Sequence, residues 1–162
     1  MIVVSDSGPL RYLILIGHVD VLSALYGGVI MPGAVHAELT RSQTPEQVRQ
    51  WLQAPPVWLE QREVDETDQF PTLDWGEREA IALSLSLGAD LVLLDEKKGR
   101  AVARAQGLRV VGTLGVLAQA AAQNLLVLSN AVQLLRQTTF QVSEALLETV
   151  LEHDRQRQKR IV

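Results

Sequence analysis

The chain has 162 residues, 47% of them hydrophobic, and a formal net charge of −4 at pH 7. This length predicts one domain, residues 1–162, and the absence of cysteine excludes disulfides and thiolate metal ligands. No apolar run is long enough to span a membrane, and the first residues lack the basic start of a signal peptide, so we expect a cytoplasmic protein. The acidic balance argues against avid binding to duplex nucleic acid.

Short apolar runs alternate with amphipathic segments along most of the chain. The pattern predicts strands at 2–5, 29–31, 57–59, 91–95 and 109–111. It predicts helices at 9–16 and 19–26, from Pro32 through Leu39, and at 45–53, 74–87, 98–106, 114–123, 129–138 and 143–156. Residues 61–73 are polar and predict a surface loop. This alternation favours an α/β fold with a parallel sheet and right-handed crossovers.

Two carboxylates, Asp6 and Asp95, each lie at the carboxyl end of an apolar, strand-like run. Ligands of open parallel sheets bind outside the carboxyl ends of the strands, so both acids are placed for chemistry. A turn or cap over Gly8 is the alternative role for Asp6. Four apolar residues precede Asp95, which makes it the clearest candidate in the chain.

Two further acids, Glu38 and Glu77, lie early in predicted helices. Glu38 borders the apolar side of its helix, and the alternative is a solvent-facing position. Glu77 lies three residues after Asp74, a spacing typical of a capping box that needs no metal. Its helix is apolar along both the Glu77 and the Glu79 lines, which lie about 200° apart, so only one of these acids faces a shared site. Four gathered acids would repel one another without a cation, and oxygen ligands favour Mg²⁺ or Mn²⁺.

These residues, taken in order, resemble a PIN-domain nuclease. The matching segments are Asp6-Ser7, Ala37-Glu38-Leu39, Gly76-Glu77, Ala80-Ile81-Ala82 and Leu93-Leu94-Asp95. Many PIN toxins carry an acid eleven residues before the glycine that ends this helix and an aspartate seven residues after it. Counted from Gly88, these positions are Glu77 and Asp95, which favours Glu77 over Glu79. Gly112–Leu117 resembles a segment of a VapC-type, toxin-like subfamily.

The resemblance implies a three-layer fold with a central parallel sheet of about four to five strands. A core of about residues 2–126 would precede a C-terminal helical extension of about 129–157. The implied function is a metal-dependent ribonuclease, with RNA as substrate, an antitoxin protein as partner and a homodimer as assembly. Its implied metal ligands are Asp6, Glu77 and Asp95, with Glu38 completing the catalytic set and Ser7, Glu96 and Arg100 as accessory residues.

Two departures from the family pattern keep an alternative open. Leu94 stands where toxin members often carry Thr, Ser or Asn, and the third acid, Glu77, is one methylene longer than aspartate. Leu94 and the acidic pI of about 5.4 favour, as the alternative, a PIN-like module that binds RNA or protein without cutting. A doubly wound phosphatase-like or phospho-acceptor domain would also place aspartates at strand ends. Such a domain needs a Lys and a Thr or Ser at the ends of later strands, and of these only Thr113 is evident.

Overall fold

The computed structural model describes residues 1–65 and 68–161 of the chain. The strands within those residues are β1 (Val3–Ser5), β2 (Val29–Pro32), β3 (Leu59–Arg62), β4 (Leu91–Leu93) and β5 (Val110–Val111). The helices that alternate with them are α1 (Ser7–Leu15), α2 (Val21–Tyr26), α3 (Gly33–Leu39), α4 (Glu46–Trp51), α5 (Trp75–Leu87) and α6 (Lys97–Ala105). The helices that follow β5 are α7 (Thr113–Ala122), α8 (Leu128–Arg136) and α9 (Glu144–Ile161).

The five described strands form one parallel sheet in the order β3-β2-β1-β4-β5. β1 is the central strand, with Val4 beside Ile30 of β2 on one side and Val92 of β4 on the other. The predicted α/β fold with a central parallel sheet flanked by helices is confirmed. Because parallel strands share one direction, the residues that follow them meet along a single edge of the sheet.

The sheet separates two apolar cores. Val3 and Leu93 pack into the larger core with residues of α1–α4 and α7–α9, and Val4 and Val92 pack into the smaller core with residues of α5 and α6. Successive side chains of a strand point to opposite faces, so a strand that is covered on both faces must be apolar throughout. This is why the central strands are recognisable in the sequence as uninterrupted apolar runs.

The third strand differs from the prediction of 57–59. Val57 is fully exposed, and the pairing with β2 begins at Leu59, which is buried. β3 lies at the edge of the sheet, where Glu60 and Gln61 stay exposed to solvent, so an apolar run is not required. The start of the predicted 61–73 loop is therefore strand, and residues 66 and 67 of that loop lie outside the described residues.

The helix boundaries differ from the predictions by a few residues. α1 begins at Ser7 rather than at residue 9, and α9 continues to Ile161 rather than ending at 156. Pro32, expected in the first turn of a helix, instead ends β2 directly before α3. α5 ends as predicted at Gly88, which adopts a left-handed conformation with φ of 61°. Within the described residues, no helix combines the length and hydropathy needed to cross a bilayer.

Candidate active site

Asp6 and Asp95 lie at the same edge of the sheet. Asp6 directly follows β1, and Asp95 comes two residues after the end of β4. The two strands are neighbours, and the Asp6 N–H donates to the Leu93 carbonyl at 2.9 Å. Asp95 Oδ2 lies 2.8 Å from the position that a Cβ atom on Gly8 would take. The Asp95 carboxylate therefore packs against the backbone at the start of α1, next to Asp6.

Thr113, the first residue of α7, binds the carboxylate of Asp95 through two hydrogen bonds. Its N–H donates to Asp95 Oδ1 at 2.7 Å, and its hydroxyl donates to Oδ2 at 2.6 Å. Burial raises the pKa of Asp95, and the two Thr113 hydrogen bonds oppose that change because they favour the charged carboxylate. The orientation of Asp95 is thus determined by a residue from the fifth strand–helix connection.

Arg100 lies beside Asp95 but is directed at the backbone. Its Nη1 donates to the Leu94 carbonyl at 2.9 Å. A Cβ atom on Gly112 would lie 2.7 Å from this Nη1 and 2.8 Å from Asp95 Oδ1, so the guanidinium and the carboxylate both pack against this glycine. The positive charge of Arg100 also works against the raised pKa of Asp95.

Asp6 is buried, and its Oδ1 has no hydrogen-bond partner among residues 1–65 and 68–161. Burial raises the pKa of Asp6 well above its usual value, and a hydrogen bond from the Ser7 N–H opposes this only in part. Three neighbouring carboxylates raise it further, in the order Asp74, Glu77 and Glu38. The buried oxygen and its acidic neighbours together make this a place of unfavourable negative charge.

Glu38 and Asp6 approach each other across Gly76, the second residue of α5. A Cβ atom on Gly76 would lie 3.0 Å from Asp6 Oδ1 and 3.3 Å from Glu38 Oε2. Glu38 belongs to α3, which packs against α5, and it is partly exposed. The small residue at this position leaves room for the two carboxylates to converge.

Glu77 is buried and takes part in a capping box at the start of α5. Its N–H donates to Asp74 Oδ1 at 2.9 Å, and its own Oε2 accepts from the Asp74 N–H at 3.2 Å. The other oxygen, Oε1, lies 2.8 Å from the Cβ position of Gly99 in α6. Burial, with the Asp74 and Glu96 carboxylates adding to it, raises the pKa of Glu77 to about 7. Capping and proximity to the other acids therefore occur in the same residue.

Glu79 has a different environment from Glu77. Its Oε1 accepts a hydrogen bond from the Ala34 N–H at 2.9 Å, at the start of α3. This contact joins α5 to the start of α3 and engages one carboxyl oxygen of Glu79 there. Of the two acids that the sequence left open, Glu77 is the one that acts electrostatically on Asp6.

An open pocket of about 370 Å³ lies at this edge of the sheet, and we call it the acidic pocket. Its acidic lining residues are Asp6, Glu38, Asp74, Asp95 and Glu96. Ser7, an expected accessory residue, also lines it, whereas Glu77 and Arg100 are not among its lining residues. Leu94, directly before Asp95, is fully buried in the smaller core and contributes nothing to the lining.

Sequence reasoning missed several lining residues: Arg11, Tyr12, Lys97, Phe140 and Gln141. It also assigned Asp74 to the helix cap alone, although this exposed acid lines the pocket as well. Arg11 and Tyr12 lie about one and a half helical turns after Asp6, and α1 begins directly after that residue, so their closeness to the site could have been inferred from the sequence. Phe140 and Gln141 come from the α8–α9 connection, which no local pattern links to the site.

The chemistry of the pocket suits a hard divalent cation. The acidic lining groups are carboxylates, which are the ligands that Mg²⁺ and Mn²⁺ prefer, and Asp6 Oδ1, which has no partner in the described part of the chain, lies among them. As positioned, no three carboxylate or imidazole side chains within the described ranges are close enough together to bind one ion. Binding would therefore require the side chains at this edge to draw together.

The comparison with family models matches the chain over residues 2–156 to DUF3368, which is described as a PIN domain. Among solved structures, the fold is similar to that of a PilT N-terminus domain protein from the hyperthermophilic archaeon Sulfolobus solfataricus P2. The TM-score is 0.55 at 15% sequence identity, and the alignment covers 74% of this chain and 92% of that one. At this identity the likeness concerns the fold alone. No curated protein matches the chain.

Proposed function

Because the chain belongs to the PIN-domain family, we propose that it is a metal-dependent endoribonuclease that hydrolyses phosphodiester bonds in RNA. The observation that carries the proposal is the buried Oδ1 of Asp6, which lacks a partner within the described residues and faces Glu38 across Gly76. A buried, unsatisfied carboxylate oxygen costs free energy, and a cation bound there would remove that cost. The oxygen-only ligand set supports Mg²⁺ or Mn²⁺.

We assign Asp6, Glu77 and Asp95 as the metal ligands, with Glu77 binding directly or through a water molecule. When bound, Mg²⁺ or Mn²⁺ would lower the pKa of a water molecule and stabilise negative charge on the scissile phosphate. Glu38 completes the ligand shell or orients the attacking water. Glu38 lines the acidic pocket and is partly exposed, which supports the second role.

The remaining polar residues of the pocket would bind and orient the substrate. Arg11 and Lys97 are the cations of the lining, and they offset the repulsion between the acids and an incoming phosphate. The Ser7 hydroxyl and the Glu96 carboxylate are accessory groups at the same surface. Arg100, whose guanidinium is hydrogen-bonded to the Leu94 carbonyl, would act through Asp95 rather than on the substrate.

From the resemblance to VapC-type, toxin-like PIN proteins, we also propose a role as the toxin of a toxin–antitoxin pair and assembly as a homodimer. An antitoxin would inhibit the enzyme by covering the acidic pocket and thereby excluding RNA. Co-purification with a small protein that is encoded next to this chain and abolishes cleavage would support the toxin role. Light scattering of the purified chain measures its oligomeric state. A monomer whose cleavage activity no co-purifying protein inhibits would contradict both the toxin role and the homodimer.

A PIN-like module that binds RNA without cutting is the alternative function, and the burial of Leu94 favours it. This residue places no polar side chain next to Asp95 from its own strand. The Thr113 hydroxyl, however, reaches Asp95 at 2.6 Å from α7 and supplies such a group from another element. This contact is why we place the nuclease first.

The test is cleavage of a labelled single-stranded RNA in Mn²⁺, Mg²⁺ or EDTA, with the Asp95→Asn variant purified in the same way. We expect metal-dependent cutting that the variant lacks. Equal cutting by both proteins would indicate a contaminating nuclease. If neither protein cuts a mixed-sequence RNA pool while both bind it, the non-catalytic module is the correct function.

A further inference from the structure

The connection between α8 and α9, residues 137–143, forms one wall of the acidic pocket. The hydroxyls of Tyr12 and Thr139 share a hydrogen bond of 3.2 Å between residues 127 positions apart. The rings of Tyr12 and Phe140 lie 5.1 Å apart, centre to centre, with their planes at 74°. Both residues line the pocket that contains Asp6 and Asp95. An aromatic pair thus stands within reach of the carboxylates.

This pair is an unusual component for a pocket whose other lining groups are mostly charged or polar. Both rings are partly exposed, and each also packs against the larger apolar core. An edge-to-face pair uses only one face of one ring, so aromatic surface remains available to a ligand. Arg11 and Lys97 add positive charge to the same lining. The ligand that matches this combination is flat, aromatic and attached to a phosphate.

We propose that Tyr12 and Phe140 bind an unpaired nucleobase of the RNA substrate by stacking, next to the phosphate at the acids. The inference rests on the proposed function and adds to it the side chains that would hold a base of the substrate. Every base has a stacking face, but in a duplex that face is already covered by the neighbouring base pairs. A strand whose base is free would present its phosphate to the acids and its base to the rings together.

A packing role is the competing explanation for Phe140, because its ring also lines a separate cavity of about 310 Å³ between α8 and α9. The Phe140→Leu variant separates the two roles, since leucine retains apolar volume but offers no flat ring. Phe70 is the matched control: it is the only other phenylalanine of the chain and packs against the smaller core. Phe70→Leu should therefore leave RNA binding unchanged.

The first measurement is binding of a single-stranded RNA that carries 2-aminopurine, in Mn²⁺ and in the Asp95→Asn background so that the RNA stays intact. Stacking quenches the fluorescence of this base. We expect quenching that is lost in Phe140→Leu, with affinity about tenfold weaker, and retained in Phe70→Leu. Equal quenching and affinity in all three proteins overturns the proposal, as does an absence of quenching on binding.

The second measurement is cleavage by the otherwise unmodified protein of RNA strands with a single abasic site moved along the sequence. At one position, removal of the base should raise KM about tenfold, and in the Phe140→Leu protein the same removal should have no further effect. Additive effects of the two changes would overturn the stacking role. If binding and quenching occur but no RNA is cut, the nuclease proposal fails while the stacking site stands.

Discussion

Thr113 binds both carboxylate oxygens of Asp95, one through its backbone N–H and the other through its hydroxyl. A carboxylate that is fixed at both oxygens cannot rotate freely. The lone pairs of Asp95 that are not used by Thr113 therefore have a fixed direction before a metal ion binds. Such outer contacts commonly change metal affinity or activity by about 10- to 100-fold when removed.

We expect Thr113→Val to weaken Mn²⁺ binding and cleavage by about tenfold or more. Valine matches the shape of threonine but leaves Asp95 Oδ2 without its donor, which should also lower the free energy of unfolding by about 1–3 kcal/mol. Thr113→Ser, which keeps the hydroxyl, is the control. Isothermal titration with Mn²⁺ measures the affinity. Equal affinity in the Val and Ser variants would show that Asp95 needs no such support.

Asp6→Asn should abolish Mn²⁺ binding and cleavage without lowering the thermal stability of the metal-free protein. The raised pKa of Asp6 means that its charged form is disfavoured in the fold, so a neutral amide of the same shape removes an unfavourable charge. Calorimetry in EDTA at pH 7.5 measures the melting temperature. Asp20→Asn, at an exposed position before α2, is the control. A melting temperature several degrees below wild type would instead mean that Asp6 stabilises the fold.

The metal-free protein should lose stability as the pH rises. The pKa of Glu77 is about 7 in the fold against an ordinary value of 4.5. A raised carboxyl pKa contributes stability that is complete below about pH 4.5 and lost as the pH rises through 7. The difference corresponds to about 3 kcal/mol. The raised pKa values of Asp6 and Asp95 act in the same direction.

Urea unfolding in EDTA at pH 5, 6, 7 and 8 measures this dependence. Glu77→Gln should reduce the pH dependence to the part that Asp6 and Asp95 contribute, while preserving the capping box, because glutamine also accepts the Asp74 N–H. Glu79→Gln is the control and should leave the pH dependence unchanged, because Glu79 accepts a hydrogen bond from the Ala34 N–H instead. Mn²⁺ should restore stability at pH 8. A wild-type protein that is more stable at pH 8 than at pH 5 without metal would contradict the prediction.

Gly112→Ala should reduce cleavage by about 10- to 100-fold, because the added methyl would displace the Asp95 carboxylate. Its carbon would lie 2.8 Å from Asp95 Oδ1 and 2.7 Å from Arg100 Nη1. Gly28→Ala is the matched control, since its added carbon would lie 3.3 Å from the Trp58 carbonyl at the opposite edge of the sheet. Comparable loss of activity in both variants, at equal melting temperature, would show that the effect is not local to the site.

The order of strands and helices was predictable because the central strands are covered on both faces and glycines mark the helix ends. Val4 and Val92, for example, belong to the smaller core while their neighbours in the strand belong to the larger one. The edge strand β3 was misplaced because it needs no apolar run. The position of Leu59 in that strand is fixed by pairing with Val29, which a local pattern does not contain.

Proximity of Asp6 and Asp95 was predictable from the rule that parallel strands end at one edge. The other residues of the site were not predictable. Thr113, which binds Asp95, and Phe140, which lines the pocket, reach it through the packing of helices that lie far along the chain. Glu77 illustrates a different limit. From the sequence, a role in capping α5 and a position near the other acids were alternatives for Glu77. In the structure the two carboxyl oxygens of Glu77 have separate neighbours, the Asp74 N–H and Gly99.

The contact between Tyr12 and Thr139 has a consequence for the chain while it is being made. The two residues are 127 positions apart, so a ribosome that adds about 5–20 residues per second needs about 6–25 s between them. For most of that interval, once residue 38 has been added, the nascent protein contains Asp6 and Glu38 but lacks the wall that carries Phe140. If that wall is needed to hold RNA, the proposed activity begins only after residues 137–143 have been made and have packed against α1.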